Sequence, residues 1–246
     1  MENLDKLRRN RMKLQYVSHP IALMMVLIWP LKTRALPQNE GAQVSGHVFI
    51  AQEDSKHVRP VQGWDLSKTV IYLVPQGHTL PVEPPTPPLV VTQKNAQFRP
   101  SLLVIPRGQT VDFLNDDNID HNVFSFSKAE RFDLGLYPRG QKKSVTFDQE
   151  GPVITLCSIH EFMSAVIYVV PNRLNTVADA KGAFLILDVP PGKYMVRSWH
   201  TELPEGQNYV DIKPIDAQKG QTVHIEINLG DLTHPSPGSP RPSRNK

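Results

Sequence analysis

The chain of 246 residues carries a single cysteine. A disulfide within the chain is therefore excluded, and with it every multi-cysteine zinc motif and every iron–sulfur cluster held by cysteines alone. Aromatic residues make up only 7% and glycine is sparse, 14 against 23 prolines. No apolar run reaches the roughly 18–20 residues that a membrane-spanning helix needs. The longest, Ile21–Leu31, follows a basic stretch of Lys6, Arg8, Arg9, Arg11 and Lys13 and precedes Thr33-Arg34-Ala35. That order is the layout of a cleaved export signal covering residues 1–35, with an uncleaved amphipathic anchor as the alternative. Arg8-Arg9 resembles a twin-arginine signal without its usual Phe, and Met12 is an alternative start. With no cysteine near this segment, lipid attachment at a signal cysteine is excluded.

The charge is also less one-sided than it first looks. The net of +3 is concentrated at the two ends: residues 1–35 hold seven basic and two acidic side chains, and the tail from Thr233 adds three basic and no acidic ones. The body between them is acidic, which removes the main argument for a nucleic-acid partner.

Short alternating or β-branched runs separated by Gly, Pro, Asn and Asp predict strands at Val44–Ala51, Thr69–Val74, Leu89–Gln93, Ser101–Ile105, Thr110–Asn115, Asn122–Ser127, Lys143–Phe147, Val153–Cys157, Ala165–Val170, Ala183–Leu187, Gly192–Trp199, Tyr209–Ile212 and Thr222–Leu229. Almost nothing after residue 36 reads as helix, so the expected class is all-β and built of antiparallel sandwiches. Pro81–Pro88 is a stiff connector, Pro171-Asn172 begins another, and the Pro/Ser-rich residues 233–246 have too little to bury to fold.

Between the two connectors lies Cys157-x2-His160-x2-Met163, set between two predicted strands, and His121 stands upstream at a loop-to-strand junction. One thiolate, two imidazoles and one thioether are the donors of a blue-copper electron-transfer site. Taken singly, a Cys, a Met or a His is more often a packed core residue; the conjunction at this spacing is what points to a metal. Residues 89–170 resemble a cupredoxin of the plastocyanin/amicyanin-like group, which includes the methylamine-utilisation-type copper proteins. The matching positions are Phe98-x-Pro100, Gly108-x2-Val111-x-Phe113-x-Asn115, His121-Asn122-Val123, Gly151 and the Cys157–Met163 motif. The resemblance implies a Greek-key sandwich over 89–172 with one type 1 copper held by His121, Cys157, His160 and Met163. It also implies that Asn122 and Ser158 tie the two ligand loops together. It implies no enzyme: a binuclear copper site would need two cysteines, and no His adjoins Cys157 to relay electrons to a second copper. A Cys–His nucleophile would leave Met163 without a task.

A second pattern, Gly182-x-Phe184-x-Ile186-x-Asp188-Val189-Pro190-Pro191-Gly192-x-Tyr194-x-Val196, resembles the carboxypeptidase regulatory, transthyretin-like sandwich. The Gly-x-Val start usual in that family matches Gly46-x-Val48, ahead of the copper block. A split module of residues 40–80 and 173–232, with the cupredoxin inserted, is therefore expected; the alternative is a linear order with an N-terminal extension packed on the cupredoxin. His200, beside Trp199, reads as a surface histidine stacked on an aromatic rather than as a metal ligand.

The expected function is an exported, periplasmic carrier of single electrons between redox proteins, such as a c-type cytochrome or a dehydrogenase, with no membrane span after cleavage. Asp116, Asp117 and Asp120 are expected to steer a basic partner. The alternatives are a copper chaperone, store or sensor, and a β-sandwich binding module with a vestigial copper site.

Overall fold

The computed structural model describes residues 41–54, 57–60, 64–80, 86–203 and 209–229. The expected export signal, most of the first proline connector and the expected tail lie outside the described residues. The strands in chain order are β1 Ala42–Phe49, β2 Ala51–Asp54, β3 His57–Pro60, β4 Thr69–Pro75, β5 Leu89–Gln93, β6 Phe98–Arg99, β7 Leu102–Pro106, β8 Gln109–Asn115 and β9 Phe124–Ser125. They continue with β10 Phe132–Asp133, β11 Lys142–Phe147, β12 Gly151–Leu156, β13 Ser164–Val170, β14 Asn175–Val177, β15 Ala183–Val189, β16 Gly192–His200, β17 Val210–Ala217 and β18 Thr222–Asn228. Among the described residues the one helical element is a 3-10 turn, Leu66–Lys68. The protein is all-β.

Beyond the hairpin of β2 and β3, four sheets form, in the orders β15-β1-β18, β14-β4-β16-β17, β10-β9-β12-β13-β7 and β11-β8-β5-β6. The first two join strands from both ends of the described chain. β1 runs antiparallel to β15 and parallel to β18, while β4 pairs with both β14 and β16. The sequence segment carrying β5–β13 therefore lies between two strands, β4 and β14, that are neighbours in one sheet. β1 alternates buried and half-buried positions, the mark of a strand with one covered face. Gly46 at its centre has no room for a side chain: a Cβ there would sit 1.7 Å from the Ile225 carbonyl oxygen.

β13 has no such alternation, because both its faces are covered. Ala165, Ile167 and Val169 enter the core shared with β8 and β12, among Val111, Phe113 and Val153. Tyr168 and Val170 point the other way, into the core containing Ile71, Leu73, Val196 and Trp199, with Leu102, Val104 and Val166 packed at its margin. Tyr168 stacks on Trp199 with ring centroids 4.6 Å apart, and its hydroxyl lies 3.4 Å from that of Tyr72. The continuous apolar run of β13 thus reflects its position between two cores.

The connectors on either side of the β5–β13 segment are pinned. Asn172 Nδ2 donates to the Leu73 carbonyl at 2.8 Å, the Leu73 amide donates to the Leu174 carbonyl at 2.9 Å, and Arg173 reaches Thr86 Oγ1 at 3.2 Å. His200 corrects the surface position expected of it: it is buried, and its stacking partner is Trp64, at 4.6 Å, rather than the adjacent Trp199. Its Nε2 faces the Asp65 carbonyl at 3.0 Å and its Nδ1 accepts the Glu202 amide at 3.0 Å, so both ring nitrogens are occupied.

Candidate metal centre

The site is made where two loops meet at one end of the β5–β13 sandwich. The first leaves β8 at Asn115. This buried amide donates to the carbonyls of Ile119 and Tyr137, both at 2.9 Å, and accepts the Asp117 amide at 2.9 Å, folding the loop back on itself. His121 closes the loop by bridging to Tyr137: the Tyr137 amide donates to the His121 carbonyl at 2.9 Å. The predicted strand Asn122–Ser127 accordingly shrinks to Phe124–Ser125, since His121 takes its partner from the Tyr137 segment and β9 meets β12 only at Phe124 and Leu156.

The second loop, Cys157–Met163, connects β12 to β13. It is drawn tight by the Met163 amide on the His160 carbonyl at 2.9 Å and by the Cys157 amide on the Met163 carbonyl at 3.2 Å. Ser158 gives both its amide and its hydroxyl to Asn122 Oδ1, at 2.8 and 2.9 Å, so Asn122 and Ser158 do join the two loops.

Three donor atoms converge there. Cys157 Sγ lies 3.7 Å from His121 Nδ1 and 3.8 Å from His160 Nδ1, and all three atoms fall within 4.8 Å of one another. A metal about 2.3 Å from a thiolate and about 2.05 Å from an imidazole nitrogen, with about 120° between the bonds, spaces the donors about 3.8 Å apart; a tetrahedral angle gives about 3.6 Å. The two observed separations lie in the range that donors sharing one metal ion can have. His121 and Cys157 are buried, and His160 is half-buried at the loop tip. Met163 is buried in the same apolar cluster as Cys157, Val123 and Phe113. The next residues outward are apolar and open to solvent: Phe162 is 98% exposed and Ile159 50%.

The three aspartates grouped together in the sequence separate in space. Asp116 is on the surface and bonded to Lys94 Nζ at 2.6 Å, with Arg139 at 3.9 Å. The Lys94 hydrogen bond holds its pKa below the ordinary carboxylate value. Asp120 is exposed. Asp117 is a correction to the steering role expected of it: it is buried and turned inward, with Oδ2 2.8 Å from His121 Nε2. Its carboxylate also accepts the amides of Asn95 at 2.6 Å and Ala96 at 2.9 Å. Burial works to raise its pKa, but the Ala96, His121 and Asn95 hydrogen bonds prevail and lower it. A carboxylate so enclosed cannot meet a diffusing partner; it acts on His121. Behind the site, burial pushes the Tyr137 hydroxyl above its ordinary range; that hydroxyl donates to the Phe113 carbonyl at 3.1 Å and accepts from Gln93 Nε2.

A thiol and two imidazoles, two of them buried and one half-buried, thus gather at one end of a sandwich in an all-β chain and form a donor set that suits a metal ion such as copper. No family model and no curated protein matches the chain. Solved structures similar to it include a copper-containing nitrite reductase from Thermus scotoductus SA-01, at 26% identity and a TM-score of 0.34, covering 41% of this chain. A reduced variant of amicyanin is 23% identical, with a TM-score of 0.32, over 34% of this chain and 82% of that one. A purple cupredoxin from Nitrosopumilus maritimus is 24% identical, with a TM-score of 0.31, over 33% of this chain and 99% of that one. The match spans 26% of the nitrite reductase's own length.

Proposed function

We propose that the protein binds one type 1 copper through His121, Cys157, His160 and Met163 and carries single electrons between redox proteins. The observation that carries this is the approach of Cys157 Sγ to the Nδ1 atoms of His121 and His160, at 3.7 and 3.8 Å, with a buried methionine at the end of the same loop. A thiolate and a thioether favour Cu(I), the imidazoles serve both oxidation states, and copper held there supplies a one-electron couple. The chain's part is to keep the donors still. Asn122 fixes the loop behind the thiolate, the Met163 and Cys157 amide bonds close it, and the buried Tyr137 bridge holds His121 in register. His160 carries its ring toward the surface, where exposed Ile159 and Phe162 form an apolar rim for a partner such as a c-type cytochrome or a dehydrogenase. Of the three aspartates, Asp117 is turned inward and Asp116 is paired with Lys94, which leaves exposed Asp120 to steer a basic partner. The sandwich built on β1, β4 and β14–β18 is read as a carboxypeptidase regulatory-like module that buttresses β7 and β13. The basic and apolar N-terminus supports export to the periplasm.

The test is to load the protein with Cu(II) and record visible and EPR spectra. An intense thiolate-to-copper band that disappears in Cys157→Ser is the expected result, and a colourless protein with ordinary tetragonal copper EPR refutes the site. Retention of the metal through repeated reduction and oxidation supports a carrier. Ready loss of Cu(I) to a chelator would instead make the protein a delivery factor.

A further inference from the structure

The turn Lys94–Gln97 lies away from the four proposed ligands, and its backbone is unusual. Asn95 and Ala96 both adopt left-handed conformations, with φ of 54° and 52°. Ala96 has neither glycine's freedom there nor the polar side chain that eases asparagine into this region. The turn is closed by the Lys94 amide on the Gln97 carbonyl at 2.9 Å and the reverse bond at 3.2 Å, and tied to the neighbouring loop by the Asp116 amide on the Gln93 carbonyl at 2.9 Å. In this conformation two successive amides point the same way, as in an anion-binding backbone nest. The anion they hold is the buried carboxylate of Asp117, whose Oδ2 also faces His121 Nε2.

Building on the copper assignment, we propose that the Lys94–Gln97 turn is an outer control element of the metal centre: by gripping Asp117 it holds His121 as the Nε2–H tautomer, with Nδ1 free for the metal, and biases bound copper toward Cu(II). The chain of contacts is complete. Two amides fix the carboxylate, the carboxylate accepts the Nε2 proton, and the opposite ring nitrogen is the one 3.7 Å from Cys157 Sγ. A carboxylate partner makes an imidazole a stronger donor. Its negative charge, out of solvent beside the ligand, stabilises the more positive oxidation state. Lys94 and Arg139 oppose this, but they are more than half exposed and already face Asp116, so water and salt screen them. Strain kept where it aims backbone donors at a site's support is a recognised use of sparsely populated backbone conformations.

The experiment compares the full chain with Asp117→Asn and Ala96→Gly, each loaded with Cu(II). Asp117→Asn keeps the size, removes the charge and leaves a single oxygen to accept, so it also loses at least one of the hydrogen bonds that the carboxylate receives. It should weaken Cu(II) binding by about 10- to 100-fold while changing Cu(I) binding less. Each tenfold loss of Cu(II) relative to Cu(I) raises the reduction potential by about 59 mV. Ala96→Gly keeps both amides and relieves the strain, so its potential should equal that of the parent. In the metal-free parent, nitrogen NMR should find His121 in the Nε2–H tautomer, a readout that needs neither copper nor a folded variant. A coloured Asp117→Asn protein with an unmoved potential, or a metal-free His121 protonated on Nδ1 alone, overturns this inference and leaves the copper assignment standing. A parent that takes up no copper in a coloured site overturns both.

Discussion

Replacing Asn122 with alanine isolates the tie between the two ligand loops. Asn122 is 5% exposed, and its Oδ1 accepts two hydrogen bonds from one residue, the Ser158 amide and hydroxyl. Each such bond contributes on the order of 1 kcal/mol net. Ser158 itself is exposed, so water can replace part of what its amide and hydroxyl lose. Removing a nearly buried amide adds the cost of a small void, and Asn122→Ala is expected to destabilise the metal-free protein by about 2 kcal/mol. Ser158→Ala deletes only the exposed hydroxyl bond and should cost about 0.5 kcal/mol. In the double variant the hydroxyl term is counted once, so the two single effects should sum to more than the double one. The assay is urea unfolding of the metal-free proteins, followed by the rate of copper release from the loaded ones, which should rise most for Asn122→Ala. If Ser158→Ala proves as costly as Asn122→Ala, or if Asn122→Ala neither destabilises the protein nor hastens release, the tie is not what holds the loops together.

Two further substitutions probe the sandwich around the site's support. Gly46→Ala places a Cβ 1.7 Å from the Ile225 carbonyl oxygen and 2.7 Å from Phe184 Cζ. Because the first of these is backbone, a loss of about 3 kcal/mol or more is expected, with amide exchange accelerated along β1 and β18; a loss below about 1 kcal/mol would contradict the β1–β18 pairing. Burial holds the pKa of His200 below its ordinary value. The unfolded chain therefore binds the proton first as pH falls, so this contribution to stability is complete above about 6.5 and declines as pH drops toward the lowered native pKa. The urea midpoint of the parent should fall more between pH 7.5 and 5.5 than that of His200→Gln, and equal falls would refute the assignment.

The Cys157–Met163 loop was legible in the sequence because a loop this short leaves its residues little choice of where to go, and spacing alone brings Cys157 and His160 together. Asp117 was not. It stands between Asp116 and Asp120 in a stretch with no periodicity, and nothing local tells an inward carboxylate from an outward one. Its direction is set by Asn115 within its own loop and by the amides of Asn95 and Ala96, some 20 residues upstream. The short strands Phe98–Arg99, Phe132–Asp133 and Asn175–Val177 are too brief to display an alternating pattern, and their place is set by the neighbours they pair with. His200 was placed beside an aromatic, but the ring it stacks on, Trp64, is distant in sequence and only tertiary packing could supply it.

The pairing of Gly46 with Ile225 joins residues about 180 positions apart, a contact that a folding chain reaches slowly because so long a loop must close first. The bonds from the Leu73 amide to Leu174 and from Asn172 to the Leu73 carbonyl change that count. Once β5–β13 has folded, its two ends lie side by side, and about 100 residues contribute to the closure as little more than a single turn. Loop-closure entropy predicts that a chain in which β5–β13 folds first completes the sheet of β1, β15 and β18 last, which pulse-labelled amide exchange during refolding would check. A ligand that stabilises the insert would hasten closure of a sheet it never touches.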